Sequence, residues 1–296
     1  MNPAPCSIPS PSWRRWWGAS MNLQEEIERN VTNAFVEDLG PGDLTANLIP
    51  SGQQGKATVI SREDAVLAGS AWFEACLRRL DPGVGIQWSA LDGDRVSAGQ
   101  VLCEIDGEAR ALLSAERPAL NFLQLLSGVA TRTRQFVDAV QGTKAKILDT
   151  RKTLPGLRIA QKYAVRCGGG VNHRMGLYDG ILIKENHIAA AGGIAPALRA
   201  AREAAGPGMM IQIEVESLAQ LQEALAAGAR LVLLDNFTVG MMREAAKVAA
   251  GRAELEASGG ITLDTVRAIA ETGVDRISVG SLTKDLRAVD LSMRFE

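Results

Sequence analysis

Six short β-rich runs in the second half of the chain are each followed at once by residues that hold charge or admit an anion. After AKIL come Asp149, Thr150, Arg151 and Lys152; DGILI ends in Lys184 and Glu185; IQI leads to Glu214; RLVLL ends in Asp235. The fifth run closes in Ser258, Gly259 and Gly260, and the sixth in Gly280 and Ser281. Taken singly, a cation after a strand is a solvated loop residue and an acid there is a helix cap. Taken together, several runs deliver cations, carboxylates and glycine backbone to one place. SGG and VGS fit a phosphate grip, because glycine admits close approach and N–H groups at a helix start face an anion. Glu214 and Asp235 suit a hard divalent cation that keeps waters and also touches substrate oxygens, and Mg²⁺ is favoured over a plain salt-bridge role.

The stretch RIAQKYAVRCGGGVNH, residues 158–173, adds three consecutive glycines before Asn172, His173 and Arg174. Such a run is costly in backbone entropy and reads as a bend that permits close contact. His173 directly before Arg174 reads as an anion-binding pair. Cys167 has no evident base beside it and reads as a packed thiol, and His187 as structural.

What must position these residues is a regular alternation. The runs AKILD, DGILIK, IQIEV, RLVLLD, AELEAS and DRISVG are separated by helical segments such as SLAQLQEALAAG and TLDTVRAIAETG, which open on Ser or Thr and close on Gly. Buried strands alternating with helices imply a parallel sheet, and six units without GxGxxG after the first strand favour an α/β barrel over a dinucleotide-binding sheet. In a barrel the C-terminal strand ends share one rim, which is where the charged residues fall.

The first half is organised differently. Leu23, Ile27, Val31, Ala34 and Phe35 recur at helical spacing before GPGD stops the helix. KATVISR, AVLAG, GIQWSAL and VLCEI read as strands of a small α+β domain, and residues 114–141 as one or two helices that bridge to the barrel. The division expected is an extension over 1–20, a first domain over 21–141 and a barrel over 142–296. The extension contains WRRWW, which reads as an unfolded segment rather than a membrane or partner patch, and Met21 is an alternative start.

Composition excludes several classes. The net charge of −2 gives no field for nucleic acid or an anionic membrane, and no run is long and apolar enough to span a bilayer. Cysteines 6, 76, 103 and 167 have no zinc-like spacing, so a reduced, cytoplasmic protein with free thiols is expected. LDGDRVSAGQVLCEI has the hairpin pattern of a biotinyl or lipoyl carrier, but the upstream SREDAVLAGSAW offers no lysine for attachment.

The strings SAERPALNFLQLLSGVATRT, ILDTRKTLPGLR, KYAVRCGGGVNHRMGLYDGILIKENH, IEVES, LLDNF and ASGGI, in this order, resemble the quinolinate phosphoribosyltransferase family from about residue 23 onward. DTRKT with GGGxNHR is the specific part. The resemblance implies an N-terminal α/β sandwich with an incomplete, TIM-like barrel (the type II phosphoribosyltransferase fold) and a homodimer with shared active sites. It implies transfer from phosphoribosyl pyrophosphate to quinolinate with loss of CO₂, giving nicotinate mononucleotide for NAD synthesis, with Mg²⁺. Arg117, Arg151, His173 and Arg174 would hold the two carboxylates, and Lys152 and Lys184 would face the sugar diphosphate. Glu214 and Asp235 would take the ribose hydroxyls and the metal, and Ser258, Gly259, Gly260, Gly280 and Ser281 the 5′-phosphate. Pro118 departs from the usual small aliphatic residue and is expected in the first turn of a helix, where proline is tolerated. The arginines suit a dianion, which separates this reading from a nicotinate-using relative.

Overall fold

The computed structural model describes residues 23–295, so the WRRWW cluster and Met21 lie outside the described residues. The chain opens with helix α1 (Leu23–Asp38), amphipathic as its spacing predicts, with Ile27, Val31 and Phe35 buried. Strands β1 (Gln54–Ser61), β2 (Ala65–Val66), β3 (Gly85–Trp88), β4 (Arg95–Val96) and β5 (Val101–Glu108) follow, with helix α2 (Ser70–Leu80) after β2. One antiparallel sheet has the order β3, β5, β1 and then β12 (Leu291–Phe295), the last strand of the chain. The chain therefore returns to its first sheet at its end, a pairing that a division at residue 142 does not account for. β2 and β4 form a separate ribbon.

A single helix, α3 (Ala109–Ala139), joins the halves where one or two were expected. Glu108 caps it by accepting from the Ala111 N–H, and Leu112, Leu120, Leu123, Leu126 and Phe136 are fully buried along it. Each such side chain contributes about 1.5–3 kcal/mol on burial, which is why this helix is the spine of the molecule. Pro118 lies well inside α3 rather than in its first turn, so the Ser114 carbonyl lacks its usual helical donor. The expectation of a first-turn proline fails because the helix starts at Ala109, five residues before the region read as helical.

Beyond α3 the six expected runs are the six strands of a parallel sheet: β6 (Lys146–Leu148), β7 (Gly180–Ile183), β8 (Met210–Val215), β9 (Leu231–Asp235), β10 (Glu254–Ser258) and β11 (Arg276–Ser278). Helices α4 (Arg158–Cys167), α5 (Glu185–Ala191), α6 (Ile194–Ala204), α7 (Leu218–Ala226), α8 (Val239–Ala249), α9 (Leu263–Ala270) and the short α10 (Ser281–Lys284) connect them. Ser217 and Thr238 cap α7 and α8 through their hydroxyls, as the sequence indicates for helix starts. The strand order is β6, β11, β10, β9, β8, β7, so β6 and β7 are the sheet's two edges and do not pair with each other. In the gap, Val171 bridges to Leu148, its N–H donating to the Ile147 carbonyl at 2.8 Å. The barrel is thus incomplete, with the segment around Val171 standing in for a missing strand.

The three glycines before that segment explain how it gets there. A Cβ on Gly168 would lie 2.5 Å from Ala130 O and Thr133 Cβ of α3, and one on Gly170 2.8 Å from Thr133 Cγ2. The close contact expected of the run is made with α3.

Candidate active site

Parallel strands put their C-terminal ends on one rim, and side chains two apart face the same way. That alternation gathers the residues named from sequence. Lys184 Nζ lies 3.4 Å from Glu214 Oε2, Glu214 repels Asp235, and Asp235 stands beside Ser258 in register. On the far side of Ser258, Gly280 sits where a Cβ would be 3.0 Å from Lys152 Cδ and 3.7 Å from Thr150 Oγ1. Lys152 therefore lies across Gly280, next to Ser281 at the start of α10. Burial pushes the Glu214 carboxyl up, and Asp235 and Glu185 add to this while Lys184 opposes it.

Arg151, just after β6, lies near enough to Arg174 for their charges to interact. Arg174 is pushed below the usual guanidinium range, first by burial and then by the charge of Arg151. Its Nη1 donates to the Gly180 carbonyl at 2.8 Å, which fixes the side chain. Two neighbouring guanidinium charges, one of them partly desolvated, suit a dianion.

The backbone carrying Arg174 is held by an ion pair that sequence reasoning missed. Lys162 of α4 and Asp149 after β6 are both fully buried, with Nζ and Oδ1 at 2.5 Å. Nζ also donates to the carbonyls of His173 (2.8 Å) and Arg174 (3.1 Å), while Asp149 accepts from the His173 N–H and from Asn172 Nδ2. Burial pushes the carboxyl up and the ammonium down, and these bonds oppose both shifts. The signal was present in KYAV and DTRKT: a lysine and an acid on apolar faces call for each other.

His173 points into the barrel. Its Nδ1 accepts from the Arg174 N–H at 2.8 Å, and its Nε2 is 2.9 Å from Gln212 Oε1. Gln212 Nε2 donates in turn to Glu256 Oε2 at 3.0 Å, and Gln212 and Glu256 are fully buried. Both ring nitrogens are thereby engaged inside the protein. Gln212 and Glu256 were missed because they sit mid-strand, two residues before the ends that were read.

The anion end has its own constraint. Gly259 has φ +109°, and a Cβ there would collide with Asn236 Oδ1; Gly260 has φ +56°. Asn236, at φ +53°, donates its Nδ2 to Asp235 Oδ2 at 3.0 Å and its N–H to the Ser258 carbonyl at 3.2 Å. Asn tolerates the left-handed region better than most residues, and the turn sets its side chain between Asp235 and Gly259, a placement the sequence reading missed. The loop after β6 is braced by the first domain: Arg29 Nη2 and Asn30 Nδ2 of α1 donate to the Gly156 carbonyl. His187, read as structural, accepts from the Lys184 N–H at the start of α5. Cys167, read as packed, has its thiol pushed up to about 12 by burial.

Arg117 is not brought to this rim. It projects from α3 with an exposed side chain, and its ion pair among the described residues is with neighbouring Glu116. Leu113, one turn earlier, is exposed, as are Leu44 and Leu48 on the segment tied to α3 by the Ser114–Asp43 and Arg110–Ile49 bonds.

Among the described residues no cluster of three or more His, Cys, Asp or Glu could cage a metal ion. Glu214 and Asp235 are two carboxylates that a cation would relieve of mutual repulsion. Two oxygens are few for a hard cation, which would complete its shell with water and substrate oxygens.

A family model described as the quinolinate phosphoribosyl transferase C-terminal domain matches residues 129–294, and one for the N-terminal domain of the same family matches residues 43–127. The chain is 45% identical over 268 residues to a probable nicotinate-nucleotide pyrophosphorylase [carboxylating] of Bacillus subtilis, covering 90% of this chain and 93% of that one. It is 45% identical over 273 residues to the Mycobacterium leprae nicotinate-nucleotide pyrophosphorylase [carboxylating], covering 89% and 95%. The structure of the nicotinate-nucleotide pyrophosphorylase from Francisella tularensis superposes with a TM-score of 0.89 at 44% identity, covering 92% of this chain and 96% of that one. The two matched models, the strand-end rim and these relatives together establish that the chain belongs to the quinolinate phosphoribosyltransferase family.

Proposed function

We infer that the protein joins quinolinate to phosphoribosyl pyrophosphate, releasing CO₂ and pyrophosphate and leaving nicotinate mononucleotide for NAD synthesis. The observation that carries this is the Arg151–Arg174 pair, one member desolvated, at a rim that also offers lysines, carboxylates and glycine backbone. The guanidinium groups take the two quinolinate carboxylates and aim the ring nitrogen at the anomeric carbon. Glu214 and Asp235 hold the ribose hydroxyls and stabilise the oxocarbenium-like charge as the sugar leaves pyrophosphate. Lys152 and Lys184 neutralise the departing diphosphate, and Ser258, Gly259, Gly260, Gly280 and Ser281 grip the 5′-phosphate. His173 keeps Arg174 in place through its N–H. Once the ring nitrogen is alkylated, its positive charge stabilises the carbanion left by CO₂, so decarboxylation needs positioning rather than a protein nucleophile.

Mg²⁺ fits Glu214 and Asp235, and when bound it supplies charge neutralisation for the pyrophosphate. Activity is expected to vanish in excess EDTA and return with Mg²⁺; undiminished turnover in EDTA contradicts the assignment. Arg117 acts in the site of a second copy, the exposed Leu44, Leu48 and Leu113 beside it supplying the apolar part of that interface. The described cysteines are free thiols, which suits a reducing compartment such as the cytoplasm. No helix among the described residues is long and apolar enough to cross a membrane.

The reaction is tested by following CO₂ and nucleotide with quinolinate, phosphoribosyl pyrophosphate and Mg²⁺, with nicotinate run in parallel. Quinolinate should give both products in equal amounts. Turnover of nicotinate at a comparable rate would refute the dicarboxylate reading.

A further inference from the structure

The rim occupies one mouth of the barrel, and at the opposite mouth lies a cavity of about 620 Å³. Strand beginnings line it: Lys146 of β6, Met210 of β8, Leu231 of β9 and Arg276 of β11, joined by Arg166 from the last turn of α4 and Arg230 just before β9. Thr150, Lys184, Glu214, Asp235, Ser258 and Gly280 do not border it, whereas His173 and Arg174 do, so it opens at the second mouth and its inner end reaches the Arg174 side of the candidate active site. Its size falls in the range of about 300–1,000 Å³ common to small-molecule pockets.

Its charge is one-sided. Among the described residues Lys146, Arg166 and Arg230 form no ion pair, and Arg276 shares Glu254. The acid on the wall, Asp179, already accepts from the N–H groups of Met175 and Gly176. Gathering unpaired cations around a concavity raises a positive potential that a bound anion relieves. The rest of the wall is apolar and adaptable, with Met209, Met210 and Ile211 able to pack a flat ring. Asn172 adds a specific polar feature. Its Nδ2 donates to Asp149 Oδ2 and to the Lys162 carbonyl, which fixes the amide on the inner wall.

We propose that this second mouth binds a nucleoside monophosphate, its phosphate on Arg166, Arg230 and Lys146 and its base on the methionine wall. The test is calorimetry with AMP, adenosine and inorganic phosphate on the wild type and on an Arg166→Gln, Arg230→Gln double variant. Both arginines are exposed and unpaired, so the variant should melt like the wild type and keep its transferase activity without AMP. The site predicts that AMP binds the wild type roughly tenfold or more tighter than either fragment, and that the double variant loses about that much affinity for AMP. Undiminished AMP binding in the double variant, or no AMP binding to the wild type, overturns the site. Inorganic phosphate binding as tightly as AMP overturns its assignment to a nucleotide.

Discussion

On the proposed reading Arg174 is the residue on which substrate choice turns, because its guanidinium is half out of water and feels another positive charge before any ligand arrives. Removing one partner of a desolvated charged contact costs roughly 2–5 kcal/mol. Arg151→Ala or Arg174→Ala should therefore weaken quinolinate by that amount in calorimetry while phosphoribosyl pyrophosphate is much less affected; equal weakening of both ligands would remove the role assigned to the pair. The cysteines make a second prediction. Burial pushes Cys76, Cys103 and Cys167 up to about 12, from an ordinary value of 9.0. The folded protein keeps these protons after the unfolded chain has lost them. Their stabilising contribution is full below pH 9 and is lost as pH rises toward 12. The urea midpoint should fall across that window, and native thiols should resist alkylation at pH 8. Rapid native alkylation of all three would contradict the burial.

At the scale of elements, the strand ends were legible because a parallel barrel turns a one-dimensional rule, reading the residue after each apolar run, into a three-dimensional rim. Thr150, Lys184, Glu214, Asp235, Ser258 and Gly280 were all found in that way. The same rule passed over Gln212 and Glu256, since a buried mid-strand polar residue declares itself only when its partner across the barrel is known. Strand β12 was not read because its five residues pair with β1 far upstream, and Pro118 was misplaced because its helix begins at Ala109. The buried Lys162–Asp149 pair is the element-level device that holds Asn172, His173 and Arg174 against α4. Lys162→Met should leave a buried unpaired carboxylate and cost about 3–5 kcal/mol in stability, read from denaturant unfolding, together with loss of quinolinate binding. A stability within about 0.5 kcal/mol of wild type would show that the pair does not carry that segment.

On the scale of the whole molecule, Arg117 lies away from its own chain's rim. Arg117 lies on the spine helix among exposed leucines, and the rim holds the acids and lysines but lacks this third guanidinium. This part was legible in the sequence only through the resemblance, because Arg117 precedes every barrel strand and lies on α3 rather than at a strand end. On the proposed reading the complete site is a property of two chains, and subunit mixing tests it. Arg117→Ala and Glu214→Ala proteins, each inactive alone, are unfolded and refolded together in equal amounts, with heterodimers verified by native mass spectrometry. If Arg117 serves the neighbouring rim, each heterodimer regains one intact site and the mixture recovers about a quarter of wild-type activity. A mixture that contains heterodimers and stays inactive would contradict the shared site.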